Sequence, residues 1–231
     1  MSAPTILITG ANGGLGVSVV QFFLEKGFRV IATVARAEGK KDLPPHPALD
    51  IQVVDLSDES ATASFIAGRI AAYHTIDAAL LLVGGFAMGR VAETTGAGLA
   101  KMFTLNFETA YFTARPLYAQ MLEQGKGRLI FMGSKPSLDP AQGKHVIAYA
   151  LSKSLLFRLA EILNADARGK DVVTHVVVPS TIDTPANRKD MPDADVESWV
   201  RPEQLAEIFY FICSEAGAPL RDPVWKVYNK A

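Results

Sequence analysis

Tyr149 and Lys153 stand four residues apart in an apolar, helix-forming stretch, Tyr149-Ala150-Leu151-Ser152-Lys153. On a helix, side chains at i and i+4 lie one above the other, so this phenol and this ammonium can act on one bound molecule. A phenol titrating at about 10 is a poor acid or base at neutral pH, and a neighbouring cation favours the phenolate and brings it toward working range. Far upstream, Thr9-Gly10-Ala11-Asn12-Gly13-Gly14-Leu15-Gly16 follows the apolar run Thr5-Ile6-Leu7-Ile8. It precedes a stretch, Leu15 to Lys26, whose apolar residues Leu15, Val19, Phe22 and Phe23 recur at helical spacing. Strand, glycine turn and helix in that order leave free N–H groups at a helix N-terminus, where hydrogen bonding and the helix dipole attract a pyrophosphate. The spacing Gly10-x3-Gly14-x-Gly16 departs from G-x-G-x-x-G, but the physics of each glycine holds. A missing Cβ permits positive φ, lets phosphates approach the main chain, and lets the helix sit close to its strand.

The elements that must position these groups alternate between strand and helix. Strands are predicted at Thr5–Ile8, Phe28–Val34, Gln52–Val54, Ile76–Val83, Arg128–Met132, Val172–Val178 and Val224–Val227. Helices are predicted over Leu15–Lys26, after Asp55-Leu56-Ser57-Asp58, over Gly98–Glu123 despite Pro116, and over Ile147–Ala167 and Pro202–Ser214, with loop between Val34 and Gln52 and at 179–200. Such alternation predicts an α/β fold, a single-domain doubly wound parallel sheet of the Rossmann type with about seven strands and helices on both faces, spanning residues 1–231. Ligands of such sheets bind outside the strand C-termini. A net charge of −1 without a basic block argues against nucleic acid or an anionic membrane as partner, so a small-molecule substrate is expected. The single cysteine, Cys213, forms no internal disulfide, and the first residues carry no signal-peptide pattern; a cytoplasmic setting is the expectation. No His, Cys and carboxylate cluster has metal-ligand spacing, so no metal is expected.

Thr9-Gly10-x-x-x-Gly14-x-Gly16, Asn106, Ser134, Tyr149-x-x-x-Lys153 and Pro179-x-x-x-x-Thr184, in this order, resemble the short-chain dehydrogenase/reductase family over essentially the whole chain. The resemblance implies hydride transfer at a nicotinamide and a catalytic set of Asn106, Ser134, Tyr149 and Lys153. In that set Tyr149 protonates a carbonyl oxygen, Ser134 hydrogen-bonds it, Lys153 tunes the tyrosine and holds the ribose, and Asn106 supports a proton-relay water. It further implies cofactor contacts from Gly10, Asn12, Gly14, Leu15, Gly16, Arg36, Asp55, Leu56, Gly84, Tyr149, Lys153, Ile182 and Thr184, with Asp55 meeting the adenine amino group. Asn106 can equally cap or bend its helix, and Asp55 can be a helix-start acid. Ser134 lies fifteen positions before Tyr149, about two more than the family's gap, so either Gln142–His145 contains an insertion or Ser137 is the working hydroxyl. Two departures stand out: Val83-Gly84-Gly85 replaces the family's Asn-Ala-Gly, removing an asparagine that steadies the central strands, and Pro179-Ser180 replaces Pro-Gly.

At the end of the second strand, where family members that prefer NAD place an acid, this chain has Val34, and Arg36 follows two residues later. That pair favours NADP(H) over NAD(H), the rival reading being Arg36 as an exposed loop cation. The segment Asp183 to Trp199 is similar to the corresponding loop of the quinonoid dihydropteridine reductase branch, while Ser134 favours ketone or aldehyde reduction. Phe86, Met88 and Trp199 are candidates for an apolar slot holding a flat substrate. Surplus apolar residues on the long helices, with the family resemblance, imply a homodimer or homotetramer. The alternative is a catalytically silent NADP-binding sensor or scaffold on the same fold.

Overall fold

Aliphatic runs buried on both faces make the strands of a parallel sheet, and the glycine and proline turns between them place amphipathic helices above and below it. The computed structural model describes residues 3–230. In chain order the elements are β1 (Thr5–Thr9), α1 (Gly16–Glu25), β2 (Arg29–Val34), β3 (Leu49–Val53), α2 (Glu59–Tyr73), β4 (Ala78–Leu81), α3 (Gly96–Phe103), α4 (Thr109–Gln124), β5 (Lys126–Met132), α5 (Pro140–Gly143), α6 (Ile147–Asp166), β6 (Asp171–Pro179), α7 (Pro185–Asp190), α8 (Pro202–Cys213) and β7 (Val224–Val227). The seven strands pair in the order β3-β2-β1-β4-β5-β6-β7, every pair parallel. This is the doubly wound, Rossmann-type sheet expected from the alternation.

The period of two sorts the core. Ile6, Ile8, Val30, Ala32, Leu80, Ile130 and Val177 face Val19 and Phe23 of α1 and Leu205 and Phe209 of α8. Leu7, Ile31, Leu81, Leu129, Phe131 and Val176 face Ile66 of α2, Leu117 and Met121 of α4 and Leu156 of α6. Because the chain crosses over after β3 to run β4 beside β1, the strand order reverses there and opens a crevice beyond the C-terminal ends of β1 and β4.

Four boundaries differ from the sequence reading, each for a local reason. β4 stops at Leu81, because the amides of Leu82 and Val83 turn to the Thr9 hydroxyl, at 3.0 and 3.4 Å, instead of continuing the ladder. Thr9 thereby ties the end of β1 to the end of β4, the support that Val83 itself cannot give. β3 begins at Leu49, where it pairs with Val30 of β2. The long middle helix is broken by a π-helical turn at Thr104–Glu108 that carries Asn106. The supposed loops hold short helices: a 3₁₀ turn at Ala37–Asp42, and α7 with a second 3₁₀ turn at Val196–Ser198.

Candidate active site

The glycine turn is a cradle that side chains would fill. Gly10 has φ +62°, a left-handed conformation that glycine adopts at no cost, and a Cβ there would lie 3.3 Å from Val83. A Cβ on Gly16 would overlap the carbonyl of Gly10, so the helix start can sit this close to the strand only with glycine. A Cβ on Gly14 would lie 2.9 Å from Cβ of Thr184, so the turn faces the start of α7 directly. Leu15 stands at the N-cap of α1 without a side-chain cap, which leaves first-turn N–H groups for a ligand. An anionic dinucleotide fits this arrangement. A cleft of about 510 Å³ opens beside it, between Asn12, Gly13, Gly14 and Val17 on one wall and Asp183 and Arg188 on the other.

The ends of β2 and β3 carry the other residues expected to meet the cofactor. Val34 is 2% exposed and packs in the core, and Ala35 and Arg36 are the first exposed positions after β2. Arg36 opens the Ala37–Asp42 turn in extended conformation and accepts the Gly39 amide on its carbonyl. Asn12 reaches across to this turn, donating from Nδ2 to Asp42 at 3.2 Å. Asp55 accepts both the amide and the hydroxyl of Ser57, at 2.9 and 2.6 Å, and these bonds hold its carboxyl below the usual carboxylate range. Leu56 beside it is buried. The cap of α2 is Asp58, whose Oδ1 accepts the Ala61 amide, so Asp55 is not the helix-start acid.

At the crevice the groups converge. Tyr149 lies in the first turn of α6, half-buried, with its ring edge-on to Phe86 at 5.0 Å. Burial pushes its phenol above the ordinary range, and the hydrogen-bonded Ser134 hydroxyl acts in the opposite direction. The lowering influence therefore comes from Ser134 rather than from the Lys153 ammonium. Lys153 is 5% exposed, donates to the Met132 carbonyl at 2.9 Å, and is pushed by burial from 10.5 down to about 8. Its Nζ passes so close to Gly84 that a Cβ there would lie 2.9 Å away, and 2.8 Å from Asn106 Oδ1.

Ser134 and Ser137 form a pair, Oγ to Oγ 2.9 Å. Ser137 also donates its proton to the Ser134 carbonyl at 2.6 Å. With its one proton committed, Ser137 can only accept within the pair, and Ser134 holds the proton that can turn to a substrate oxygen. Between Ser134 and Tyr149 the chain forms the 3₁₀ turn at Lys135–Ser137 and α5. Asn106 does not cap a helix. Its Oδ1 accepts the Gly85 amide at 2.8 Å, and Nδ2 donates to the Gly85 carbonyl at 3.1 Å and to Ser152 Oγ at 3.0 Å. Both amide protons are committed, which leaves none of them for a relay water.

Ser152 was missed in the sequence. Fully buried, it donates to the Tyr149 carbonyl at 2.9 Å and accepts from Asn106, linking the catalytic helix to the π-helical turn. The available signal was a serine three residues after Tyr149, able to bond back to the helix carbonyl.

On the far side, Thr184 caps α7 through Oγ1, Ile182 pairs with Val200, and Asp183 forms a two-pronged ion pair with Arg188 at 2.6 and 2.8 Å. Phe86 and Met88 are 61% and 73% exposed at the crevice, whereas Trp199 is 5% exposed, so it belongs to the packing beneath the loop and not to an open slot. Among the described residues no helix is long and apolar enough to cross a membrane.

Residues 4–195 match the family model of the short chain dehydrogenase. The chain belongs to this family. Among curated proteins it is similar to a dihydropteridine reductase of Dictyostelium discoideum, 27% identical over 230 residues and covering 98% of this chain and 95% of that protein. An acetoacetyl-CoA reductase of an Acinetobacter strain is 24% identical over 92% of this chain and 91% of its own length. A Drosophila melanogaster dehydrogenase/reductase is 28% identical over 78% of this chain, which spans 57% of that longer relative. Among solved structures, ElxO with NADP bound superposes with a TM-score of 0.90 at 19% identity, covering 97% of both chains. An actinorhodin polyketide ketoreductase with NADPH gives 0.86 at 19%, covering 98% of this chain and 96% of that one. As a short-chain dehydrogenase, the chain is an NAD(P)-dependent oxidoreductase by family.

Proposed function

We propose that this short-chain dehydrogenase is an NADP(H)-dependent reductase of a small carbonyl or quinonoid dihydropterin-like compound, with Tyr149 as general acid. The observation that carries the reading is the gathering of Tyr149, beside Phe86, and the buried Lys153 ammonium, bonded to the Met132 carbonyl and passing Gly84, at the strand ends where Ser134 follows β5. When bound, the nicotinamide cofactor supplies the hydride. Ser134 turns its proton to the substrate oxygen and polarises it, and Tyr149 delivers the proton that oxygen needs once negative charge develops there. Lys153, buried with its ammonium aimed past Gly84, would hold ribose hydroxyls of the bound cofactor. Gly10, Asn12, Gly14, Leu15, Gly16 and Thr184 would hold the pyrophosphate of a bound cofactor, and Asp55, Leu56 and Ile182 would complete its groove.

NADP(H) is favoured over NAD(H) because the exposed end of β2 carries Ala35 and Arg36, a small residue and a cation, where a carboxylate would repel a 2′-phosphate. The NADP- and NADPH-bound fold relatives are consistent with this choice. The full-length similarity to a dihydropteridine reductase supports a flat heterocyclic substrate, and the exposed Phe86 and Met88 offer an apolar surface beside Tyr149. Exposed Tyr111, Leu151 and Ile162 on α4 and α6 support assembly into a homodimer or homotetramer, which a solution mass measurement tests directly.

Tyr149→Phe removes the transferable proton and keeps the packing. Turnover of quinonoid dihydropterin and of a panel of ketones and aldehydes with NADPH should fall by roughly two to four orders of magnitude, with NADPH binding nearly kept. Unchanged turnover refutes the assignment; tight NADPH binding without turnover of any panel member by the unaltered protein replaces the enzyme with a sensor.

A further inference from the structure

Residues that follow β7 reach back to two separate loops of the crevice. The ring of Tyr228 carries the Lys135 ammonium, 5.0 Å from its centroid. The Tyr228 carbonyl accepts the Ser180 hydroxyl at 2.9 Å, and the Val227 carbonyl accepts the Ser180 amide at 3.0 Å, so the segment is anchored to the end of β6. One residue further, Asn229 Nδ2 donates to the Trp199 carbonyl at 2.8 Å. Asn229 has φ +52°, in the left-handed region that asparagine enters more readily than other side-chain-bearing residues, so this residue type suits both the turn and the bond.

Each contact ends next to a group of the site. Lys135 directly follows Ser134 and opens the turn in which Ser137 donates its amide to the Ser134 carbonyl, and Leu138 and Asp139 donate theirs to the Lys135 carbonyl. Those bonds are local to the turn; the Tyr228 ring ties it to the segment that follows β7. Trp199 directly precedes Val200, which donates to Thr181 and accepts from Asp183, so holding Trp199 holds the main chain of Ile182 and Asp183 beside Thr184. One short segment thus grips the serine loop with one residue and the cofactor-side loop with the next.

We propose that Tyr228 and Asn229 are positioning residues with separable effects: Tyr228 sets the Ser134 turn through Lys135, and Asn229 sets the Ile182–Thr184 segment through Trp199. The kinetic half rests on the reductase reading above; the structural half does not. Hydrogen exchange on the cofactor-free protein tests the latter. In Tyr228→Leu the amides of Ser137, Leu138 and Asp139 should exchange about tenfold faster, with those of Asp183, Val200 and the β5 core residue Ile130 unchanged. In Asn229→Gly, which keeps the positive φ and removes the amide group, Asp183 and Val200 should speed up and the serine turn should not. Tyr228→Phe keeps the ring over Lys135 and should match the unaltered protein. If Tyr228→Leu fails to fold, Lys135→Met removes the cation alone and should act in its place.

Kinetically, Tyr228→Leu should lower kcat for quinonoid dihydropterin roughly tenfold with the KM for NADPH within about twofold, since a modest misplacement of a catalytic group costs rate and not cofactor affinity. Asn229→Gly should weaken NADPH binding roughly fivefold, read from quenching of tryptophan fluorescence, with kcat at saturation nearly kept. Unchanged exchange in both loops, or uniform acceleration that includes Ile130, overturns the proposal whatever the reaction is. A kinetic null alongside an inactive Tyr149→Phe overturns the positioning roles alone, whereas full activity of Tyr149→Phe removes the reductase reading and leaves the exchange result to decide.

Discussion

Replacing Lys153 with methionine should make the protein's stability respond to alkaline pH in a way that isolates the cost of burying one ammonium. Lys153 is 5% exposed, its hydrogen bond within the protein is to the Met132 carbonyl, and burial lowers its titration from 10.5 to about 8. The unfolded chain therefore binds the proton more tightly than the folded one. Below pH 8 both states carry the charge and the folded state bears the full cost; above 10.5 both are neutral and the cost is gone. Between those limits the unfolded state holds more protons, so stability rises with pH. The span between the two values corresponds to about 3 kcal/mol at 1.36 kcal/mol per tenfold change in proton affinity. At pH 7 Lys153→Met removes this cost and loses a charge-assisted hydrogen bond worth about 1.5–3 kcal/mol, so the absolute stability should change little. The difference between the two proteins is the clean quantity. Urea unfolding of the cofactor-free proteins at pH 7.5, 9 and 10.5 should show the unaltered protein gaining about 2–3 kcal/mol on the variant across the range. Parallel stability profiles would refute the inference that a desolvated ammonium lies at the crevice.

Ser134→Ala should cost about 1–3 kcal/mol of transition-state stabilisation, seen in kcat/KM, and Ser137→Ala less, because the Ser137 proton is committed to the Ser134 carbonyl. The reverse ranking moves the role to Ser137. Arg36→Ala and Ala35→Asp should each shift the NADPH to NADH ratio of kcat/KM toward NADH by at least about tenfold, the worth of a charge-assisted contact. A preference for NADH in the unaltered protein, or no shift in either variant, refutes the reading of that end of β2. His175, fully buried with Nδ1 accepting from Trp225 Nε1 at 3.1 Å, is pushed by burial from 6.5 down to about 4. The folded state keeps it neutral, so its contribution is complete above pH 6.5 and lost as pH falls toward 4. His175→Gln should flatten the acid limb of stability by about 3 kcal/mol, and an unchanged limb refutes the buried neutral imidazole.

The sequence by itself determined the strands, their parallel winding and the order of the chemical groups along them. Those features are written in local signals: aliphatic runs too short for helices, glycines where a Cβ has no room, and Tyr149 one helical turn before Lys153. It also carried the turn at Gly10–Gly16, because positive φ and close helix approach leave a mark on residue type. What it left open was decided by contacts between residues far apart in the chain. That Ser137 rather than Ser134 spends its proton within the turn follows from the Ser137 bond to the Ser134 carbonyl, and which side chains at the end of β2 are exposed follows from the pleat that turns Val34 into the core. The π-helical turn exists where Asn106 bonds Gly85 and Ser152, 21 and 46 residues distant. Thr9 replaces a missing asparagine by reaching 73 residues along to Leu82. Trp199 reads as a slot residue because it is large and apolar, yet the fold buries it and bonds its carbonyl to Asn229. Periodicity and residue type report what a segment does with its own neighbours, whereas the assignment of a single proton or face depends on which distant group arrives opposite, and only the folded chain fixes that.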